Sequence, residues 1–571
     1  MTSLAKLLAM QVLAGSGELV RVASAAIVGT AVAIDCLARG PGRSRGAALK
    51  PWDEGLIEQA PARDASEGTG DEPWTEASLR AAIDAHLTGR QIIVVSNREP
   101  CVHELQPDGT VVARRPVGGV VTALHPVARA CSGVWVAHGS GSADRITADR
   151  AGRVRIATGH CSYLLGRVWL TPEEERGYYH GFANEGLWPL CHLVSAAPVF
   201  RRNDWAHYER VNRRFTDTVV AQAQSPDPVV LVQDYHLALV PRMLRRRLPH
   251  ATILTFWHIP WPSAERFAIC PYGEELLDGL LGSSIVGFQT PRHRDNFVAA
   301  VEHTLEARPR GEDRAIVHRG GPTLVRSYPI SIEWPNHWAS GVGTIETCRR
   351  TVRAELGIGS RTHLVVSVDR LDYTKGIEER LTAIERLLGR GLYTRGRMVF
   401  LQIAAPSRMF IQRYRDLAER VRARVETINT RYGRQDSTPV VYVDRYVEPA
   451  EVFRFYRAAD VCYVGSLDDG MNLVAKEFVA ARDDEQGVLL LSRFAGAALD
   501  LTEALIVNPY DVDGVADALA DALSMPVAEQ RRRMRAMRAQ VAGHNVYEWA
   551  GRMLVDAARL RAGSRQTAVV S

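Results

Sequence analysis

The chain has 571 residues, too many for one ordinary hydrophobic core, so two domains with additional segments are expected. Hydrophobic residues make up 46% and charged residues 24%, an ordinary globular composition. Lys and Arg number 70 against 65 Asp and Glu, and a formal net charge of +5 is too small an excess for a nucleic-acid binder.

At the N-terminus, Val22 to Ile34 is an apolar and small-residue run bounded by Arg21 and Asp35. It is shorter than the about 20 residues that span a bilayer. Glu18 interrupts the approach and no cleavage site follows, so a signal peptide is not indicated. An N-terminal helix or loose extension is expected, with an interfacial membrane helix as the alternative. From Gly40 to Glu72 the chain is rich in Gly, Pro and charge and reads as a linker.

Regular structure is expected from Leu79 to Leu87, at helical spacing, and then in a buried strand over Gln91 to Ser96. Apolar strands follow at Val229–Gln233, Thr252–His258, Ser284–Phe288, Leu364–Val368 and Met398–Ile403. Three more lie at Val440–Val443, Val461–Val464 and Val488–Ser492, with helical stretches such as Glu378–Leu388 and Ile411–Glu426 between strands. Alternating strands and helices predict an α/β fold of doubly wound parallel sheets, and so many strands predict two of them. The boundary is placed in Tyr328–Trp334, giving an extension over 1–75, domains over 76–333 and 334–563, and a tail over 564–571. Cys36, Cys101, Cys131, Cys161, Cys191, Cys270, Cys348 and Cys462 are dispersed, with no pair at CxxC spacing. They read as buried hydrophobes in a reducing cytosol, with no zinc site and no redox pair.

In such sheets ligands bind at the carboxyl ends of strands. One suspect loop, Arg370-Leu-Asp-Tyr-Thr-Lys375-Gly376, brings two cations to a helix N-terminus and suits a diphosphate. The bland reading is a basic surface loop. A second, Asp468-Asp469-Gly470-Met471-Asn472-Leu473-Val474-Ala475-Lys476-Glu477, opens a helix. There Asp469 could cap the helix, Gly470 would let a ligand approach, and the amides of Met471 to Leu473 would be free. Glu477 would lie about two turns in, placed for ribose hydroxyls.

Together with Arg493-Phe-Ala-Gly-Ala-Ala498, Ser96-Asn97-Arg98, Leu187-Trp188-Pro189, Asp234-Tyr235-His236-Leu237 and Asn508-Pro509-Tyr510, these stretches resemble the trehalose-6-phosphate synthase family, in order, from about Gln91 to Ala557. The resemblance implies a GT-B architecture, two facing Rossmann-like domains with the active site in the cleft between them. It implies retaining transfer of glucose from UDP-glucose to glucose-6-phosphate, with no metal or other cofactor. Arg370 and Lys375 would hold the departing diphosphate, Gly119 would approach it, and Glu477 would take the ribose. Asp469, Met471, Asn472, Leu473 and His258 would hold the donor sugar, and Asp234 would lie between donor and acceptor. Arg98, Tyr179, Trp188 and Arg408 would surround the acceptor, with His138 on the same wall. A cytoplasmic homo-oligomer is implied, with a separate trehalose-6-phosphate phosphatase acting on the product.

Some positions depart from that family. Its Trp-x-Gly-Trp stretch is Trp135-Val-Ala-His138, the His before Asp-Tyr-His-Leu is Gln233, the Arg before Asp-Gly-Met-Asn is Asp468, and a linker Gly is Ser331. His138 and Asp468 leave acceptor identity and donor base open. Asp511-Val-Asp513-Gly-Val515 resembles a phosphatase start but lacks the preceding apolar strand. Adjacent Asp468 and Asp469 are not expected to share a metal, and His236 reads as a structural hydrogen-bonding residue. Two other functions stay in view: transfer to another phosphorylated acceptor such as glycerol-3-phosphate, and a non-catalytic sugar-phosphate sensor.

Overall fold

The computed structural model describes residues 72–570, apart from 115–118, 159–160, 311–314, 320, 392, 394–395 and 435–437. The N-terminal run and most of the proposed linker lie outside the described residues. Two sheets organise the rest, as the alternating pattern predicts.

In the first sheet the strand Ile92–Arg98 sits between Val229–Gln233 on one side and Val134–His138 on the other, pairing in parallel with both. Thr252–Trp257, Ile285–Phe288 and Gly321–Ser327 continue one flank, and Cys161–Val168 the other, all parallel. Antiparallel strands close both edges, Ala315–His318 with Pro309–Arg310 at one and Arg153–Thr158 at the other. The second sheet has six parallel strands in the spatial order Val440–Val443, Met398–Ala405, His363–Arg370, Val461–Val464, Val488–Ser492, Leu505–Val507. Continuous Val, Ile and Leu runs make these central strands because helices cover both faces, leaving no polar side to alternate with.

In each sheet the strand order reverses beside one strand, and the crevice for a ligand opens there. Those strands are Ile92–Arg98 and His363–Arg370, so Arg98 and Arg370 end the two switch-point strands. One apolar cluster runs through both lobes, from Val94 and Leu254 to Leu364 and Phe478, with Ile330, Ile332 and Trp549 between them. Burying side chains of this size is worth about 1.5–3 kcal/mol each. The C-terminal helix Val546–Val570 returns to pack on the helices Glu76–His86 and Gly119–Cys131.

Candidate active site

A cavity of about 380 Å³ lies where the carboxyl ends of the two sheets face one another. Every predicted site residue lines it except His138.

The second-sheet wall starts at Arg370, whose guanidinium makes no hydrogen bond or ion pair with a described residue and lies 5.7 Å from the Trp188 ring centre. Lys375 ends the short helix Tyr373–Lys375 and pairs with the Asp469 carboxylate. The following Gly376 has φ +64°, and a Cβ there would lie 2.3 Å from the Gly465 carbonyl oxygen, so the turn that delivers Lys375 requires glycine. Asp469 is held below its usual range: burial opposes ionisation, but Lys375 and the Asn472 amide outweigh it.

Three expectations for this loop change. The helix Leu473–Ala481 is capped by Asn472, whose side chain accepts from the Ala475 N–H, while Asp469 is engaged with Lys375. Gly470 accommodates protein rather than ligand, since a Cβ there would lie 2.2 Å from the His258 carbonyl oxygen of the other lobe. Glu477 sits four residues into its helix, about one turn. Burial lifts its carboxyl to about 7, against a long contact of 3.4 Å from the Tyr456 hydroxyl.

The first-sheet wall carries Asp234 immediately after the strand Val229–Gln233, at φ +75° and ψ 168°. Non-glycine residues rarely hold that conformation, at a cost of about 1–3 kcal/mol, and such strain gathers at functional sites. Arg408 (φ +52°) and Asn472 (φ +77°) are also left-handed. Asp234 accepts from the His258 backbone N–H at 3.2 Å, and burial lifts its carboxyl to about 7 although Arg408 and Arg370 pull it down.

Beside Asp234 the guanidinium of Arg408 stacks on Trp188 at 3.8 Å and donates to Asp372 and Tyr414, each within 2.8 Å. Tyr179 stands on a π-helix, Arg176–Leu187, a rare form that is frequent at functional sites. Its hydroxyl accepts from Arg98 at 3.1 Å. Burial resists ionisation of that phenol, but Arg98, Arg408 and Arg370 together bring it down to about 7. Gly119 opens the helix Gly119–Cys131 against Leu473 of the other lobe, while Gly118 lies outside the described residues.

His138 ends the strand beside Arg98 and is half-buried. Burial lowers its pKa, with Glu175 and Asp144 opposing. An imidazole is shorter than the indole usual there and leaves the lining to Tyr179 and Trp188. His236 lines the cavity stacked on Tyr179; its carbonyl accepts from the Asn212 amide at 3.1 Å, its Nδ1 lies 3.8 Å from Asp234 Oδ2, and its Nε2 is buried with no hydrogen-bond partner among the described residues. Asp468 accepts from the Leu193 N–H across the cleft at 2.7 Å. Asp372, Tyr235 and His192 are not legible as site residues from sequence: Arg408 meets Asp372 and Tyr235 from 36 and 173 residues away, and His192 lines the cavity beside Trp188. Among the described residues no group of three or more His, Cys, Asp or Glu is placed to hold a metal ion, and no helix is long and apolar enough to cross a membrane.

Known proteins resemble this chain in sequence and fold. The trehalose-6-phosphate synthase of Mycobacterium leprae is 39% identical over 486 residues, covering 84% of this chain and 96% of that protein. That of Mycolicibacterium smegmatis is 39% identical over 473 residues, 81% of this chain and 92% of the relative. Among solved structures, the α,α-trehalose 6-phosphate synthase of Burkholderia multivorans superposes with a TM-score of 0.73 at 34% identity, covering 84% and 98% of the two chains. The Escherichia coli protein bound with UDP-2-fluoro glucose gives 0.72 at 32% identity, covering 82% and 99%. The Burkholderia xenovorans enzyme in complex with glucose-6-phosphate gives 0.71 at 33%, again covering 82% and 99%. The model of glycosyltransferase family 20 matches residues 90–559. The chain belongs to glycosyltransferase family 20.

Proposed function

We propose that this enzyme is a trehalose-6-phosphate synthase, transferring glucose from UDP-glucose to glucose-6-phosphate with retention to give α,α-trehalose 6-phosphate and UDP. The observation that carries the reading is the convergence of Arg98, Arg370, Arg408 and Lys375 on one cleft around Asp234, with Trp188 and Tyr179 as its aromatic wall. Two anionic groups are matched by two sets of cations, Arg370 with Lys375 and Arg98 with Arg408.

In this reading Arg370 and Lys375 neutralise the charge that grows on the diphosphate as the bond from the anomeric carbon to phosphate oxygen breaks. The bond from that carbon to the acceptor oxygen forms on the same face, and the acceptor proton passes to the leaving phosphate oxygen. Glu477 takes the ribose. Gly119, the amides of Met471 to Leu473 and His258 hold the donor, and Asp234 aligns donor and acceptor. Arg98 and Arg408 hold the acceptor phosphate beside Tyr179 and Trp188. His138 stays outside the cavity lining, which supports the usual sugar acceptor. The two lobes are taken to divide between 333 and 334. The same reading makes the enzyme a cytoplasmic homo-oligomer that needs no metal, followed by a separate phosphatase. Gel filtration and assay in chelator check the assembly and the metal.

The test is UDP release by the purified protein with UDP-glucose and each of glucose-6-phosphate, glucose, fructose-6-phosphate and glycerol-3-phosphate, with products identified by mass spectrometry. Release dependent on glucose-6-phosphate, yielding a phosphorylated disaccharide, is expected. Preference for glycerol-3-phosphate, or no turnover with any acceptor, overturns the reading.

A further inference from the structure

His258 follows the strand Thr252–Trp257 and is 8% exposed, yet it lines the cleft. Its Nε2 lies 2.8 Å from Oε1 of Gln233, the last residue of the neighbouring parallel strand. An amide oxygen accepts and does not donate, so Nε2 carries the ring hydrogen and the lone pair falls on Nδ1. Nδ1 has no partner among the described residues. Gln233 is 1% exposed and has no titrating group.

We propose that Gln233 is a positioning residue that holds His258 as the neutral Nε2–H tautomer, so that Nδ1 accepts a hydrogen bond from a hydroxyl of the donor hexose. This rests on the reading of the cleft as a nucleotide-sugar site. Burial, with no charged neighbour to offset it, lowers the imidazole to about 3, so the ring stays neutral through the working pH range. Its surroundings account for this. Asp234 faces the His258 backbone N–H rather than the ring, and His236, on the same wall, is itself kept neutral by burial and by Arg408. Phe256 and Trp549 pack edge-on and tilted against the ring. The elements behind it, at Gln289 and Gly470, bring an amide and backbone to its carbonyl. A second imidazole in place of Gln233, the residue usual in the resembling family, could carry its own proton or reverse the hydrogen bond. The amide fixes one polarity.

The experiment combines nitrogen-15 NMR of histidine-labelled protein with kinetics of Gln233→Glu and Gln233→His. In the wild type the His258 signals, assigned by their loss in His258→Gln, are expected to show Nε2–H with no titration from pH 5.5 to 8.5. A carboxylate at 233 should bring a titration into that range. Then kcat/KM for UDP-glucose falls about tenfold per pH unit on a new acid limb, while KM for glucose-6-phosphate stays unchanged. Gln233→His should populate both His258 tautomers. An Nδ1–H tautomer in the wild type, or pH profiles of both variants that superimpose on the wild type, overturns the proposal. If the wild type releases no UDP, the transferase reading fails, and the NMR tautomer alone still decides this inference.

Discussion

Replacing Tyr179 by Phe tests whether the arginine cluster is an anion site shared between a protein group and the acceptor. The phenol is displaced from 10.0 to about 7. At about 1.4 kcal/mol per pH unit, the arginines favour tyrosinate over phenol by on the order of 4 kcal/mol net of burial. Coupling between binding events is reciprocal, so a tyrosinate that draws on Arg98 and Arg408 weakens an acceptor phosphate on the same cations. A sugar phosphate becomes a dianion above pH about 6. Affinity for it should therefore peak between about 6 and 7 and then fall as the phenol ionises. At pH 8 roughly nine-tenths of the phenol is ionised, and kcat/KM for glucose-6-phosphate should be about tenfold below the value expected for the phenol form. Tyr179→Phe loses the hydroxyl contact to Arg98 but cannot ionise, so its profile should rise to a plateau by about pH 8 and show no alkaline limb up to pH 8.5. The acid limb, set by Asp234 at about 7, should persist in both proteins. UDP-release assays across this range decide it. An unchanged alkaline limb in Tyr179→Phe refutes the shared-anion argument.

Other perturbations follow from the same contacts. Lys375→Ala should lower kcat by about two to three decades, the effect of about 2.7–4 kcal/mol for one preorganised group, with donor KM changing much less. Full turnover in that variant contradicts its role on the leaving group. Gly470→Ala pushes a methyl into the His258 carbonyl oxygen and should cost about 1–3 kcal/mol, read as a lowered melting temperature together with lost activity. A variant as stable and active as the wild type means that the lobes do not meet there. Asp468 is lifted from 3.8 to about 6 by burial, so the native state binds the extra proton and stability declines as pH rises from 4 to 6. Asp468→Asn still accepts from Leu193 but cannot ionise. It should therefore gain on the wild type by up to on the order of 3 kcal/mol between pH 4 and 7, measured by denaturant unfolding. A pH-independent difference removes that assignment.

By itself the sequence determined the central strands, the cationic loop Arg370–Gly376 and the loop that runs from Asp468 to Glu477. Buried parallel strands are continuous apolar runs, and Arg370, Lys375 and Asp469 stand in short segments whose chemistry can be read without knowing their surroundings. It left out the strands Val134–His138 and Cys161–Val168, the edge strands Arg153–Thr158 and Ala315–His318, and the π-helix that carries Tyr179. Arg153–Thr158 and Cys161–Val168, at and next to a sheet edge, mix polar with apolar residues, and a π-helix, bonded i→i+5, shows no 3.6-residue pattern to read. Only tertiary structure decided what the site residues face. Gly470 is glycine because a carbonyl more than 200 residues away in sequence touches it, and Asn472 rather than Asp469 caps its helix because Lys375 holds Asp469. The protonation of Asp234, Tyr179 and Glu477 was likewise illegible. Desolvation and the fields of Arg98, Arg370 and Arg408 exist only once the carboxyl ends of two separate sheets face each other.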